Sequence, residues 1–235
     1  MLQACLNGRR SPAQHPLVPR LPAELAADAA AVAAVGAEEL HVHPRGADGA
    51  ETLDVDASVA AIRAAVAIPV GVTTGAWIPG DRVQAVRSWT VLPDYASVNV
   101  SEAGWAELAR ALLERGVGVE AGVWTAADAE RLVAGGLLAD CLRVLIEPGE
   151  SHVGGAVATI SAIEAVLGAA GPPRLVHGRD ATAWPVLREA ERRGLDVRIG
   201  LEDVLVLPDG TPAPGNAALV TAARGPSTMP ADGPA

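Results

Sequence analysis

The chain has 235 residues, enough for one large domain or two small ones with a sizeable core. Half of the residues are apolar, with no Phe and one Tyr, so the core must be aliphatic and built of small side chains. All 18 basic residues are Arg, which excludes a Schiff-base or carbamylated lysine, and a net charge of −10 without a basic run argues against nucleic acid as a partner.

Two widely separated cysteines, Cys5 and Cys141, suit a reducing compartment with free buried thiols. The N-terminus has no charged segment leading into an apolar one, and no run of about 18 apolar residues occurs. The expectation is a soluble, cytoplasmic protein with no membrane partner.

In chain order, short β-rich runs alternate with Ala-rich helical runs. Gln3–Leu6 reads as a strand, and a proline-punctuated loop leads to a helix over Ala23–Val35, stopped by Gly36. Glu39–His43 is the second strand, followed by a Gly/Asp loop and a helix over Val55–Ala67. Pro69–Thr73 is the third, after which Asp81 caps a short helix to Ser88. Tyr95–Val100 is the fourth, with Ser101 as N-cap of a helix to Arg115. Val117–Trp124 is the fifth, and Thr125 caps a helix that stops at Gly135-Gly136. Cys141–Glu147 precedes a helix with its core at Val157–Leu167, and Arg174–His177 precedes a helix led by Asp180 and running to Arg193. Asp196–Leu201 is the eighth strand, and Asn216–Arg224 a last short helix.

Eight such units predict an α/β fold, a (β/α)8 TIM barrel with trimmed loops, occupying residues 1–224 as a single domain. The Pro/Gly-rich tail, residues 225–235, is expected to be disordered. A doubly wound open sheet is the alternative, but no Gly-x-Gly-x-x-Gly follows any strand in the right place for dinucleotide binding.

Alternation within each strand turns aliphatic residues toward the helices and leaves a polar residue facing inward near the C-terminal end. In order these are Asn7, His43, Thr73, Asn99, Glu120, Glu147, His177 and Glu202, with Leu142 counted among the outward residues of the sixth strand. Several buried carboxylates require a metal, an arginine or a cationic ligand, and the C-terminal face is where barrels of this kind carry their chemistry. His41 and His43, two apart on one strand, point the same way and can meet one metal ion. Strand eight closes the barrel near strands one and two, which makes Glu202 the best third ligand. Arg198 lies on the same face one step deeper, and Asp203, just past the strand end, is expected to swing over the mouth as a base or support.

His41-Val42-His43-Pro44-Arg45 and, much later, Arg198-Ile199-Gly200-Leu201-Glu202-Asp203 resemble the β-keto acid cleavage enzymes. The likeness runs along most of the chain, through Asn7-Gly8, Pro22-Ala23-Glu24-Leu25, Thr73-Thr74-Gly75, Ser97-Val98-Asn99 and Asn216. The resemblance implies a Zn2+-dependent (β/α)8 enzyme that condenses a β-keto acid with acetyl-CoA and cleaves the product to acetoacetate and a new acyl-CoA. It implies His41, His43 and Glu202 as ligands of Zn2+ or another divalent ion, and Asp203, oriented by Arg198, as the catalytic base. It further assigns substrate binding to Thr73, Gly75, Ser97, Asn99 and Glu120, and suggests a homo-oligomer. The chain departs from the family pattern at Arg9-Arg10, where some members carry Ala-Glu, and at His177-Gly178-Arg179-Asp180, which has no assigned counterpart. Competing readings are a metal-dependent lyase or aldolase without CoA, an amidohydrolase-like hydrolase, and a non-catalytic barrel that binds an acidic metabolite.

Overall fold

In the computed structural model, which describes residues 1–225, eight parallel strands close into a barrel in sequence order. The first half runs β1 (Leu2–Cys5), α1 (Pro22–Ala34), β2 (Glu39–Val42), α2 (Asp56–Ala65), β3 (Val70–Thr73), α3 (Arg82–Ser88), β4 (Tyr95–Asn99) and α4 (Trp105–Glu114). The second half runs β5 (Gly118–Val123), α5 (Ala126–Ala134), β6 (Arg143–Ile146), α6 (Val153–Leu167), β7 (Arg174–Val176), α7 (Ala183–Arg192), β8 (Asp196–Ile199) and α8 (Asn216–Arg224). The expected barrel is therefore found. The tail expected to be disordered lies, from residue 226 onward, outside the described residues. Among the described residues, no helix is long and apolar enough to cross a membrane.

Strand alternation builds two layers. Leu40, Val42, Val70, Val72, Val98 and Ile199 are buried in the apolar layer between strands and helices. Their neighbours one residue away face the barrel axis. Leu142 departs from this scheme. It precedes β6 and is 44% exposed, because the 3-10 turn Leu138–Asp140 delays the strand to Arg143.

Helix starts follow local chemistry. Thr125 and Asp128 form a reciprocal cap on α5, so only Trp124 and Thr125 separate that helix from β5. Asp81 accepts the Gln84 N–H at 3.0 Å to start α3. Ser101, expected as a cap, is not one. α4 starts at Trp105 behind Gly104, whose φ of 74° makes the turn, while Glu102 bonds Asn99 and the Ala76 N–H across the loop. α6 contains the expected core Val157–Leu167 and begins at Val153, where His152 accepts the Gly155 N–H. Asp180 sits in a 3-10 turn with φ 47°, and α7 begins only at Ala183.

Closure is what brings the two sequence motifs together. β1 pairs with β2 through Cys5↔His41 and with β8 through Gln3↔Arg198, so one strand separates the His-x-His rim from the β8 rim. Gly200 permits this seam to tighten, since a Cβ there would meet the Cys5 carbonyl oxygen at 1.9 Å.

Candidate active site

His41 and His43 project from the C-terminal end of β2 with ring centroids 5.2 Å apart and planes at 76°. Glu202, just past β8, faces both rings: Oε2 is 4.0 Å from His41 Nε2, and Oε1 is 3.6 Å from His43 Nε2. One ligand atom from each residue lies within 4.8 Å of the others. Glu202 Oε2 and His41 Nδ1 have no hydrogen-bond partner among the described residues. Leaving such buried atoms unpaired costs about 1–3 kcal/mol each, so the cluster fits a bound cation. Two imidazoles and one carboxylate, with cavity on the remaining side, form the donor set of an open catalytic zinc site.

The electrostatics suit that use. Burial lowers His41 to about 3, so its ring is neutral and one nitrogen has a lone pair free to coordinate. Burial would lower His43 too, but the carboxylates of Glu202 and Glu51 outweigh it and raise it to about 9 without a metal. Burial also opposes ionisation of Glu202, yet Arg198 and His43 hold its carboxyl well below the usual range.

A framework orients the β2 rim. Asn7 Nδ2 donates to the His43 carbonyl at 2.9 Å, while its Oδ1 accepts the His43 N–H at 2.9 Å. The Gly/Asp loop after β2 folds back as a small hairpin, with Arg45 bridged to Glu51. That return places Glu51 Oε2 3.3 Å from His43 Nδ1, leaving Nε2 to face Glu202. Trp77 Nε1 donates to the same Glu51 oxygen at 2.5 Å, and its ring stacks 6.2 Å from the His43 ring. The sequence offered no signal for Glu51, whose role depends on the hairpin.

Arg198 lines the cavity, and behind it Asp203 is fully buried instead of reaching over the mouth. The Asp203 carboxylate accepts from Arg198 Nε at 3.2 Å and Nη2 at 3.1 Å, and from the Cys5 thiol at 2.9 Å. His177 Nδ1 stands 3.0 Å from Asp203 Oδ1. Burial would raise Asp203, but Arg198 and His177 dominate and keep it far below the ordinary carboxyl range. The other side of the His177 ring donates from Nε2 to Glu147 Oε2 at 3.0 Å, and Arg179 Nη2 donates to the same oxygen at 3.1 Å. Burial and Arg198 oppose a charge on His177; the two carboxylates prevail and raise it. Glu147, which lines the cavity, is lowered because its two cationic partners outweigh burial. His177 and Glu147 thus join Asp203 in one set of ion pairs that strand parity alone did not reveal.

Thr73, Ser97 and Asn99 line the same cavity, of about 400 Å³, together with Trp77, Trp124 and Leu145. Gly75 contributes space. A Cβ there would meet the Trp77 ring at 2.2 Å, so the glycine lets the indole fold over the β3 loop. Glu120 is elsewhere. Its position on β5 is mid-strand, paired with Ser97 and Arg143, and the rim position is taken by Gly122. Its carboxylate accepts from Gln3 Nε2 at 2.9 Å and lies 3.2 Å from Arg143 Nε, in a fully buried layer that also holds Tyr95. Arg143 continues to Glu39 at the start of β2, so this group forms the barrel floor and is not in the cavity. The expectation that Glu120 contacts substrate is corrected: the longer β5 carries the residue too deep.

A closed (β/α)8 barrel with a His-His-Glu cluster at its C-terminal mouth defines the class as a barrel with a candidate metal centre. The chain belongs to the beta-keto acid cleavage enzyme family, whose model matches residues 1–228. No curated protein matches the sequence. Among solved structures, apo ObcA has a TM-score of 0.66 at 16% identity, with 89% of this chain and 61% of that chain covered. ObcA with oxaloacetate gives a TM-score of 0.68 at 16% identity, covering 89% and 63%. A 3-dehydroquinate dehydratase from Geobacillus kaustophilus HTA426 gives 0.63 at 14% identity, covering 90% and 86%. At these identities the likeness is one of fold, and this chain spans about three fifths of the ObcA length.

Proposed function

We propose that the protein is a Zn2+-dependent β-keto acid cleavage enzyme, which condenses a β-keto acid with acetyl-CoA and releases acetoacetate and a new acyl-CoA. The observation that carries this reading is the His41–His43–Glu202 cluster, with its unpartnered buried atoms, at the barrel mouth of a chain in this family. ObcA, a neighbour in fold, has been solved with oxaloacetate, itself a β-keto acid, and with a C4-CoA adduct and oxalate. Those ligands support the same substrate types here.

A divalent ion held by His41, His43 and Glu202 would supply Lewis acidity toward the keto oxygen and so favour enolate formation. The remaining work falls to side chains. Thr73, Ser97 and Asn99 offer hydroxyl and amide groups along one wall of the cavity to orient the keto acid. Arg198 presents a cation to the developing negative charge, and Asp203 and Glu202 fix its guanidinium. Proton transfer belongs to the set Glu147–His177–Asp203, whose cavity-facing member is Glu147. Asp203 keeps the assignment as base, oriented by Arg198 and His177, while Glu147 is the carboxylate of the set that faces the cavity. Free buried thiols at Cys5 and Cys141 support a cytoplasmic setting, and the family resemblance supports a homo-oligomer.

The experiment is a panel of β-keto acids incubated with acetyl-CoA and zinc-loaded protein, with mass spectrometry for acetoacetate and new acyl-CoA species. Formation of both in equal amounts is expected. Consumption of the keto acid without a new acyl-CoA would replace this reading with a lyase that does not use CoA. An amidohydrolase-like centre draws less support, because His177 is engaged by Glu147 and Asp203 instead of facing the His41–His43 pair.

A further inference from the structure

We propose that the substrate carries a second acidic group away from the reacting keto function, and that Arg9 is the residue that selects it. The proposal rests on the keto-acid reading above and narrows it to keto diacids. Arg9 stands exposed at the cavity mouth with its guanidinium carbon 5.5 Å from the Trp77 ring centroid. The other three arginines of the cavity are each matched to a carboxylate: Arg10 to Asp180 at 2.5 Å, Arg179 to Glu147 at 3.1 Å, and Arg198 to Asp203 at 3.1 Å. Among the described residues Arg9 has no such partner. An arginine stacked on an indole keeps its planar fork of donors directed outward, the arrangement that receives a carboxylate by two parallel hydrogen bonds.

Trp77 is a fixed support for it. Its Nε1 is held by Glu51, its ring stacks against the His43 ring, and Gly75 leaves the space beneath it. Arg9 is therefore linked through one indole to a candidate metal ligand, and all three residues line the same cavity. Charge points the same way. Four arginines meet the carboxylates of Glu147, Asp180, Glu202 and, behind Arg198, Asp203, so a divalent ion would leave two net positive charges. A keto monoacid would offset one of those charges and a diacid both, in a chain whose net charge is −10.

The test uses unreactive ligands first. Calorimetric titration of the zinc-loaded protein with glutarate and with valerate, which have the same carbon count, reads the preference directly. Wild type is expected to bind glutarate at least about tenfold more tightly, as befits one charge-assisted contact. Arg9→Gln should collapse that ratio to about threefold or less, while Arg9→Lys retains part of it. Equal binding of the two acids by wild type, or an undiminished ratio in Arg9→Gln, overturns the proposal.

A kinetic arm compares 3-oxoadipate with 3-oxohexanoate, each with acetyl-CoA and with acetyl-pantetheine. Loss in Arg9→Gln confined to the diacid, whichever thioester is used, supports the assignment. Equal loss on both acids with acetyl-CoA, absent with acetyl-pantetheine, assigns Arg9 to the CoA phosphates and overturns it. If no keto acid turns over while the glutarate preference persists, the cleavage reading fails and the acidic subsite stands.

Discussion

Glu51 shows how a single side chain away from the two motifs sets the centre. Its oxygen faces His43 Nδ1 and receives the Trp77 indole N–H, so it fixes both the ring of a candidate ligand and the aromatic support of Arg9. Groups that orient a ligating imidazole in this way typically contribute 10–100-fold to metal affinity. Glu51→Gln is therefore expected to weaken zinc binding by about that factor while leaving the fold intact, as read by competition with a chromophoric chelator and by circular dichroism. The neighbouring Asn7 acts through the backbone of the same residue, with donor and acceptor both spent on His43. His41-x-His43 was legible in sequence because two-residue periodicity fixes which way each points, and Glu202 was legible through its motif, since it lies in the turn past Ile199. Glu51 was not, because its position depends on a hairpin between Arg45 and Glu51 and has no periodicity to betray it.

At the scale of elements, two strand glycines decide which layer of the barrel does what. Gly122 on β5 lies beneath Asn99 Oδ1 and Glu147 Oε1, which a Cβ would meet at 2.7 and 3.0 Å. Gly122→Ala should displace both cavity groups, lowering kcat/KM by at least about tenfold with a change in melting temperature of only a few degrees, checked by kinetics and calorimetry together. Gly71 on β3 makes room for the Tyr95 ring, which a Cβ would meet at 2.0 Å. Tyr95 is buried and donates to the Leu40 carbonyl at 2.6 Å, so it cannot move aside cheaply. Gly71→Ala is expected to destabilise the fold by about 2–3 kcal/mol, measured by denaturant unfolding. A glycine inside a strand is a sequence signal of close approach, and attention to Gly122 would have shown that Glu120 sits below the rim.

Across the whole molecule, Asn216 links the ends of the chain that close the barrel. It receives the Leu201 N–H and donates to the Leu6 carbonyl and to Asp28, joining β1, the β8 loop, α1 and α8. Burial raises Asp28 to about 6, against the hydrogen bond from Asn216 that lowers it. Because this folded value lies above the unfolded 3.8, the contribution of Asp28 to stability is greatest below pH 3.8 and declines as pH rises toward 6. Asp28→Asn keeps an acceptor for Asn216 and should stabilise the protein by about 1–2 kcal/mol above pH 6 with no gain near pH 3.5, read from unfolding curves at the two pH values. The proposed zinc site would supply a second global readout. At a free metal concentration 100 times Kd, the folded state gains about 2.7 kcal/mol, so the melting temperature should rise by a few degrees and fall back on chelation. Glu202→Gln should abolish that rise.

Sequence alone determined the barrel, its strand order and the inward direction of His41, His43 and Arg198, because hydrophobic alternation and connection length are local properties of a chain. It also carried the two motifs that mark the family. Tertiary structure decided depth and partnership. It sent Glu120 to the floor with Arg143, buried Asp203 behind Arg198, and joined Glu147 to Asp203 through His177. It also left Arg9 at the mouth without an acidic partner among the described residues. Those outcomes depend on strand stagger and on charges converging from distant strands, and neither is written in any one stretch of the chain.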